Sequence, residues 1–293
     1  MAKGLIMPLN GTWVLAESGP MRLLVAAWDR GKPRQEFAQR GGEWAFSLLE
    51  ELAPFRGVIK KRGPELNANK NLPRVVREMI TAVQRVGDAD LTPLAAVAGT
   101  ISDLVAEYIA SQGANKVIVD NGGDIAIRMA PEEVVRVGVR LDVTRPEISH
   151  CLVVTGEMGI GGVTTSGLGG RSFTKGVAQA AVALGPTASV ADAASTSVAN
   201  ATAINSPLVK KARAEELDPD TDLRGDEVTL EVGNLGVQEI EEALSKGMEK
   251  VQHLMERDVI RGALICVQGK VVWSSEIKDF LFPFMPNSLN KEG

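Results

Sequence analysis

The sequence predicts a mixed α/β chain that gathers one polar, glycine-rich ligand site from three separated segments. Three observations carry that reading. Apolar residues recur at helical spacing in several stretches of 13 to 21 residues. Short β-branched runs bounded by Gly, Pro and Asn fall between them. The glycines and hydroxyl residues cluster in three places: Asn121 to Asp124, Thr164 to Ser172 and Asp192 to Thr196. Patterns of period 3.6 mark amphipathic helices, and β-branched runs between turn residues mark strands.

The elements follow in order. Trp13 to Trp28 reads as a hairpin turning at Glu17-Ser18-Gly19-Pro20. Pro33 to Leu52 reads as a helix with Gly41-Gly42 as a point of interruption, and Leu72 to Val86 as a second helix ended by Gly87. Residues 61–72 form a polar connector. Pro93 to Ser111 is a third helix, with Leu94, Val97, Ile101, Leu104, Val105 and Tyr108 on one face. Strands are expected at Lys116–Asp120, Asp124–Met129, Glu133–Asp142 and Cys151–Thr155. The seven glycines of residues 156–172 predict a loop-rich stretch there. Ala188–Thr202 is an Ala-rich helix, residues 213–227 a charged connector, and Val237–Arg257 a long amphipathic helix. A hairpin spanning 259–276 closes the pattern. We expect one domain over residues 1–293, with its weakest boundary near 145–150.

Composition narrows the function classes. Aromatics make up 4% of the 293 residues and net charge is −5. No basic stripe interleaved with aromatics is present, so nucleic acid is not an expected partner. No long apolar run and no signal-like N-terminus is evident, so neither a membrane span nor export is expected, and the cytoplasm is the expected location. Two cysteines, Cys151 and Cys266, and two histidines, His150 and His253, do not make a disulfide framework or a structural zinc site. A homo-oligomer is left open.

Each glycine-rich segment admits two readings. In Asn121-Gly122-Gly123-Asp124 a strand runs into two glycines that free the backbone amides, flanked by an amide and a carboxylate. The same letters spell a hairpin turn. Gly161 to Ser172 packs Thr164, Thr165, Ser166, Gly167, Arg171 and Ser172 into a short span suited to a phosphate or carboxylate, or else to a plain surface loop. It is neither a Walker loop nor a nucleophile elbow. Asp192 and Thr196 lie one helical turn apart, where they offer hard oxygens to Mg²⁺ or serve ordinary helix-end roles. Asp218, Asp220 and Asp222 imitate a calcium loop, but Leu223 replaces the required glycine. His150 and Cys151, adjacent on a strand, point to opposite faces and make a poor catalytic dyad.

Taken in order, Ala95–Asp103 (AAVAGTISD), Val119–Ile125 (VDNGGDI), Thr165-Ser166-Gly167 and Ala191–Thr196 (ADAAST) resemble the ApbE-like superfamily, whose named members are FAD:protein FMN transferases. Residues 94–200 carry the match, which is nearest to a prokaryotic branch with Thr-Ser-Gly-x-x-Gly-Arg-Ser. The resemblance implies an α+β fold with antiparallel-rich sheets covered by helices. It implies Mg²⁺ ligation by Asp192 and Thr196, with a backbone carbonyl near Val97, and a site for FAD or FMN lined by Asn121, Gly122, Gly123 and Asp124.

Two departures stand out. Ala98 occupies the place of the transferases' lysine, and the stretch 173–184 has no counterpart of their His-Ile-x-Asp-Pro element. Three functions therefore remain in view: an Mg-dependent nucleotide, flavin or other anion site with flavin transfer in doubt, a sulfur-handling enzyme or accessory protein in anaerobic homocysteine formation with Cys151 in play, and a non-enzymatic ligand-binding protein.

Overall fold

A computed structural model describes residues 4–63, 66–142 and 147–284. The N-terminal half gives strands β1 (Leu5–Pro8), β2 (Trp13–Ser18), β3 (Met21–Asp29) and β4 (Lys32–Pro33), then helices α1 (Gln35–Leu52), α2 (Arg56–Ile59), α3 (Arg74–Val86) and α4 (Val97–Ser111). The middle gives β5 (Lys116–Asn121), β6 (Ile125–Met129), β7 (Val134–Val139), β8 (His150–Thr155), β9 (Gly162–Ser166), β10 (Ala180–Gly185) and α5 (Ala188–Ala201). The chain continues through β11 (Val209–Arg213), α6 (Ala214–Leu217), β12 (Glu227–Val232), α7 (Val237–Glu256), β13 (Gly262–Val267), β14 (Lys270–Trp273) and β15 (Leu281–Pro283).

Ten strands form one antiparallel sheet in the order β1-β2-β3-β5-β6-β9-β10-β13-β14, with β4 added beside β3. Period-2 alternation gives this sheet two different faces. One face sends Val14, Ala16, Leu23, Val25, Val117, Val119, Ala181 and Ala183 into a core shared with the helices. The other sends Ile127, Val163, Val182, Leu184 and Leu264 against a second sheet, β15-β8-β7. The layers run helices, large sheet, small sheet. The expected mixture of antiparallel sheets covered by helices is what the chain adopts.

Gly41 and Gly42 do not interrupt α1. A Cβ on Gly41 would lie 2.5 Å from Ile109 Cδ1, and one on Gly42 would lie 2.9 Å from Ala16 Cβ, so the pair lets α1 press onto α4 and β2. α3 ends where expected, with Gly87 at φ +73°. Together, residues 93–111 are long and apolar enough to cross a membrane by composition, with mean hydropathy 1.3. Sequence inspection did not anticipate such a run; its apolar character is accounted for by packing of α4 against α1, α5, β5 and β6.

Two expectations are corrected. Residues 156–172 are not loop throughout: Gly162–Ser166 forms β9, because the β-branched pairs Val163-Thr164 and Thr164-Thr165 slot between β6 and β10. β10 is buried at every position, so it shows no alternation to read. The charged connector also contains α6, between the paired strands β11 and β12. The expected weak boundary falls partly outside the described residues, at 145–146; residues 147–149 lead into β8, which pairs directly with β7.

Candidate ligand cavity

The site is built on two helix N-termini that cap each other. The Asp103 carboxylate on α4 accepts hydrogen bonds from the first amides of α5, Ala188 N–H at 3.0 Å and Ser189 N–H at 2.7 Å, and it pairs with Arg128 at 2.8 Å. The Asp192 carboxylate on α5 accepts Gly99 N–H, in the first turn of α4, at 2.9 Å. Each carboxylate thus meets orphan amides and the positive end of the neighbouring helix dipole. The contact is close because Gly99 has no side chain: a Cβ there would sit 2.3 Å from Ala188 O and 2.8 Å from Asp192 Cβ.

The Asn121–Asp124 turn is fastened to the same place. It is a hairpin turn between β5 and β6, closed by Asn121 N–H to Asp124 O at 3.2 Å, with Gly122 and Gly123 at φ +71° and +109°. Ser102 Oγ on α4 donates to Asp124 O at 2.9 Å, and Asn121 Nδ2 donates to Ala98 O at 3.4 Å. The two sequence readings of this segment are therefore compatible, since a hairpin turn here also lines a cavity.

That cavity has a volume of about 550 Å³. Asn121, Gly122, Gly123, Asp124, Thr165, Ser166, Gly167, Arg171, Ser172, Asp192 and Thr196 all line it. Thr164 does not. It pairs with Ala183 and faces the helical core, fully buried, because alternation along β9 turns its neighbour Thr165 to the cavity instead. Arg171 reaches from its exposed loop across Gly122 and donates to Pro20 O at 2.7 Å. Sequence reasoning missed Asp120, Trp13, Met21 and most of β7, all of which line the cavity. Asp120 was visible as the residue before the turn; β7 and Trp13 carry no local signal, because they arrive from distant parts of the chain.

The electrostatics at the strand ends are lopsided. Burial, and secondarily the neighbouring Asp124 carboxylate, holds the Asp192 carboxyl well above its ordinary range, against the opposing Gly99 N–H. Asp124 is pushed up to about 7, first by burial and then by Asp120, while Thr165 N–H and Arg171 pull the other way. Burial also raises Asp120, opposed by Gly123 N–H and Arg140. Crowded carboxylates in a low-dielectric pocket resist joint ionisation, and a cation placed among them relieves that resistance. The Thr196 hydroxyl has no protein partner among the described residues and faces the same cavity. No three His, Cys, Asp or Glu side chains among the described residues converge tightly enough to hold a metal alone. The oxygen donors fit a hard divalent cation that completes its shell with water and ligand oxygens, the habit of Mg²⁺ rather than of a closed protein cage.

The remaining sequence candidates lie elsewhere. Cys151 is on β8 of the small sheet, does not line the cavity and has its thiol pushed up by burial. Its strand partners are Gly138 on β7 and Phe282 on β15. His150 packs near Trp273, with ring centroids 6.5 Å apart, and burial lowers its pKa. Asp220 pairs with Arg56 and Lys60, and Asp222 accepts from Thr92, so that acidic run is occupied in tying the connector to the helical layer.

The family model described as AbpE bacteria matches residues 9–273. The chain belongs to this family. Among curated relatives, a UPF0280 protein of Methanosarcina acetivorans is 39% identical over 144 residues, covering 49% of this chain and 54% of that one. Another from Methanosarcina barkeri is 41% identical over 133 residues, covering 45% and 50%. The chain spans about half the length of these relatives. Among solved structures, the apo flavinyl transferase ApbE of Pseudomonas stutzeri is 12% identical with a TM-score of 0.49, covering 96% of this chain and 97% of that one. The ApbE protein of Thermotoga maritima is 15% identical with a TM-score of 0.44, covering 96% and 99%.

Proposed function

We propose that the cavity binds a phosphate-bearing nucleotide of the flavin class together with a divalent cation. The observation that carries this reading is the convergence of Asp192, Asp124 and the unpartnered Thr196 hydroxyl beside the Thr165–Ser172 segment and Arg171. Asp192 is oriented by the Gly99 N–H, at 2.9 Å, and by the Ala98 amide, and it faces the cavity where a cation would sit. Thr196 and a backbone carbonyl near Val97 would add further oxygens. When bound, Mg²⁺ would supply charge neutralisation and Lewis acidity to the phosphates. The chain's own part is to orient the anion: Thr165 and Ser166 offer hydroxyls, the glycine amides offer N–H groups, and the Arg171 guanidinium closes the mouth.

Binding is a better-supported activity than flavin transfer. No His, Lys or Cys lines the cavity among the described residues, and Ala98 stands where the transferases carry lysine. The expected membership of the ligand set is FMN, FAD, ADP or ATP. Isothermal titration should show at least one of them binding, about tenfold or more tightly with Mg²⁺ than with EDTA. Failure of all four to bind in the presence of Mg²⁺ overturns the reading. Mass spectrometry after incubation with FAD, Mg²⁺ and a threonine-containing acceptor peptide should show no mass gain on the peptide.

A further inference from the structure

We propose that Trp13 is the stacking wall for the planar ring of the bound nucleotide, and that this ring occupies the chamber between the large sheet and the edge of β7. The inference deepens the nucleotide reading and rests on it. Trp13 opens β2 opposite Ala26 on β3, and Ala26 in turn pairs with Ile118 on β5. Cross-strand partners share a face, so the indole stands on the same sheet face as Ile118, with a single methyl group between them. Asp120, two residues along from Ile118, pairs with Ile125, which pairs with Val163. Trp13, Ile118, Ile125 and Val163 all line the cavity, so this sheet face is its floor.

The indole is braced on one side by a second tryptophan. It meets Trp28 edge to face, with centroids 6.4 Å apart and planes at 89°, and Lys116 lies 5.5 Å from the centre of the Trp28 ring. Trp13 is only half-buried, and it is the one aromatic side chain lining the cavity among the described residues. A core tryptophan with no further role would close its own face with aliphatic neighbours. This one opens onto a space lined otherwise by Ile and Val on the floor, which suits a flat apolar face.

The opposite wall offers what the edge of a heteroaromatic ring needs. Among the described residues, β7 is the terminal strand of its sheet. Val153 N–H on β8 turns to Phe280 O, away from β7. Cys151, two residues earlier and in the same orientation, pairs with Gly138. In an antiparallel ladder such a pairing leaves the N–H and C=O of Gly138 directed away from β8, and Gly138 lines the cavity. A ring against Trp13 would meet this backbone with its donors and acceptors, while its phosphates lie at the strand ends beside Asp192.

The test titrates the full chain, Trp13→Phe and Trp13→Leu with FMN, ADP and inorganic pyrophosphate, each with Mg²⁺, by calorimetry and tryptophan emission. FMN should quench the emission of the unaltered protein, and Trp13→Leu should lose most of that quenching. Trp13→Leu should bind FMN and ADP about tenfold more weakly, a stacking-sized effect, with Trp13→Phe between, and pyrophosphate affinity should not change. Circular dichroism on Trp13→Phe, which keeps an aromatic ring, checks that the fold survives. If both variants bind FMN and ADP as the unaltered protein does, Trp13 is not the wall and the nucleotide reading stands. Equal weakening of pyrophosphate also overturns the ring assignment, because the loss then lies at the anion end. If the unaltered protein binds none of the three, the nucleotide reading itself falls.

Discussion

At the strand-end rim of the cavity, polar atoms are placed by backbone; in the chamber between the sheets, the space is defined by the shapes of side chains. The rim depends on two helices whose N-terminal amides are answered by each other's carboxylates, Asp103 and Asp192, and on a two-glycine turn hung from α4. The chamber has Ile118, Val163 and Val182 below and the edge of β7 above. The difference teaches that one carboxylate of a symmetric pair can be structural while the other stays available. Asp103 spends its oxygens on Ala188, Ser189 and Arg128 and lies outside the large cavity, whereas Asp192 is held, among the described residues, by the Gly99 and Ala98 amides alone and faces into it.

The sharpest way to break that contrast is to remove each carboxylate. Asp103→Ala strands two buried amides and takes from Arg128 the nearer of its two carboxylate partners, and should cost roughly 3–5 kcal/mol of folding stability by denaturant titration. Asp192→Asn keeps an acceptor for Gly99 N–H. Its stability without ligand should be equal or higher at pH 8, since the ionised carboxylate is disfavoured there, while Mg²⁺-dependent nucleotide affinity should fall about 100-fold, or ~2.7 kcal/mol. Comparable folding losses for both would erase the distinction between structural and available carboxylate.

Gly99→Ala tests the close approach on which the rim depends. A Cβ that meets Ala188 O at 2.3 Å cannot be absorbed by a side-chain rotation, so α4 and α5 must part, at about 1–3 kcal/mol, and Mg²⁺-dependent binding should weaken with it. A pH series should show a smaller effect of definite sign. Asp124 has its folded-state pKa raised to about 7 from the ordinary 3.8. The folded chain therefore holds that proton more tightly than the unfolded chain does, and ligand-free stability declines as pH rises between those values. A cation needs the ionised form, so the rise in Tm produced by Mg²⁺ should be larger at pH 8 than at pH 5.5. Arg171→Gln should have the smallest effect, about three- to tenfold in nucleotide affinity and fading with added salt, because the guanidinium is exposed at the mouth.

How much of this was legible follows the same division. The helices α1, α3, α4 and α7 show in the sequence through their 3.6-residue stripes and end signals such as Gly87, and α5 shows through its alanine content. β10 does not show, because a strand buried on both faces has no alternation, and β9 was hidden by the glycines around it. At the rim, Thr165 and Arg171 stood out as local chemistry, whereas Asn121, Asp124, Asp192 and Thr196 read equally well as turn and helix-end residues until the order of the motifs tied them together. Thr164 was picked with them because hydroxyl clustering does not reveal which side of a strand each residue takes. Asp103 was legible as part of a motif but not as the cap of a helix 85 residues away.

The sequence by itself determined the local chemistry: which segments become helices, which turns need positive φ, and which short stretches concentrate hydroxyls, amides and carboxylates. These are set by residues within a turn or two of one another. Only the tertiary structure decided that Asp192 and Asp124 crowd one pocket, that Asp103 does not, and that Trp13 and β7 enclose its apolar end. Those outcomes depend on contacts between segments far apart in the chain, where strand register and the absence of a Cβ at Gly99 fix which atoms meet.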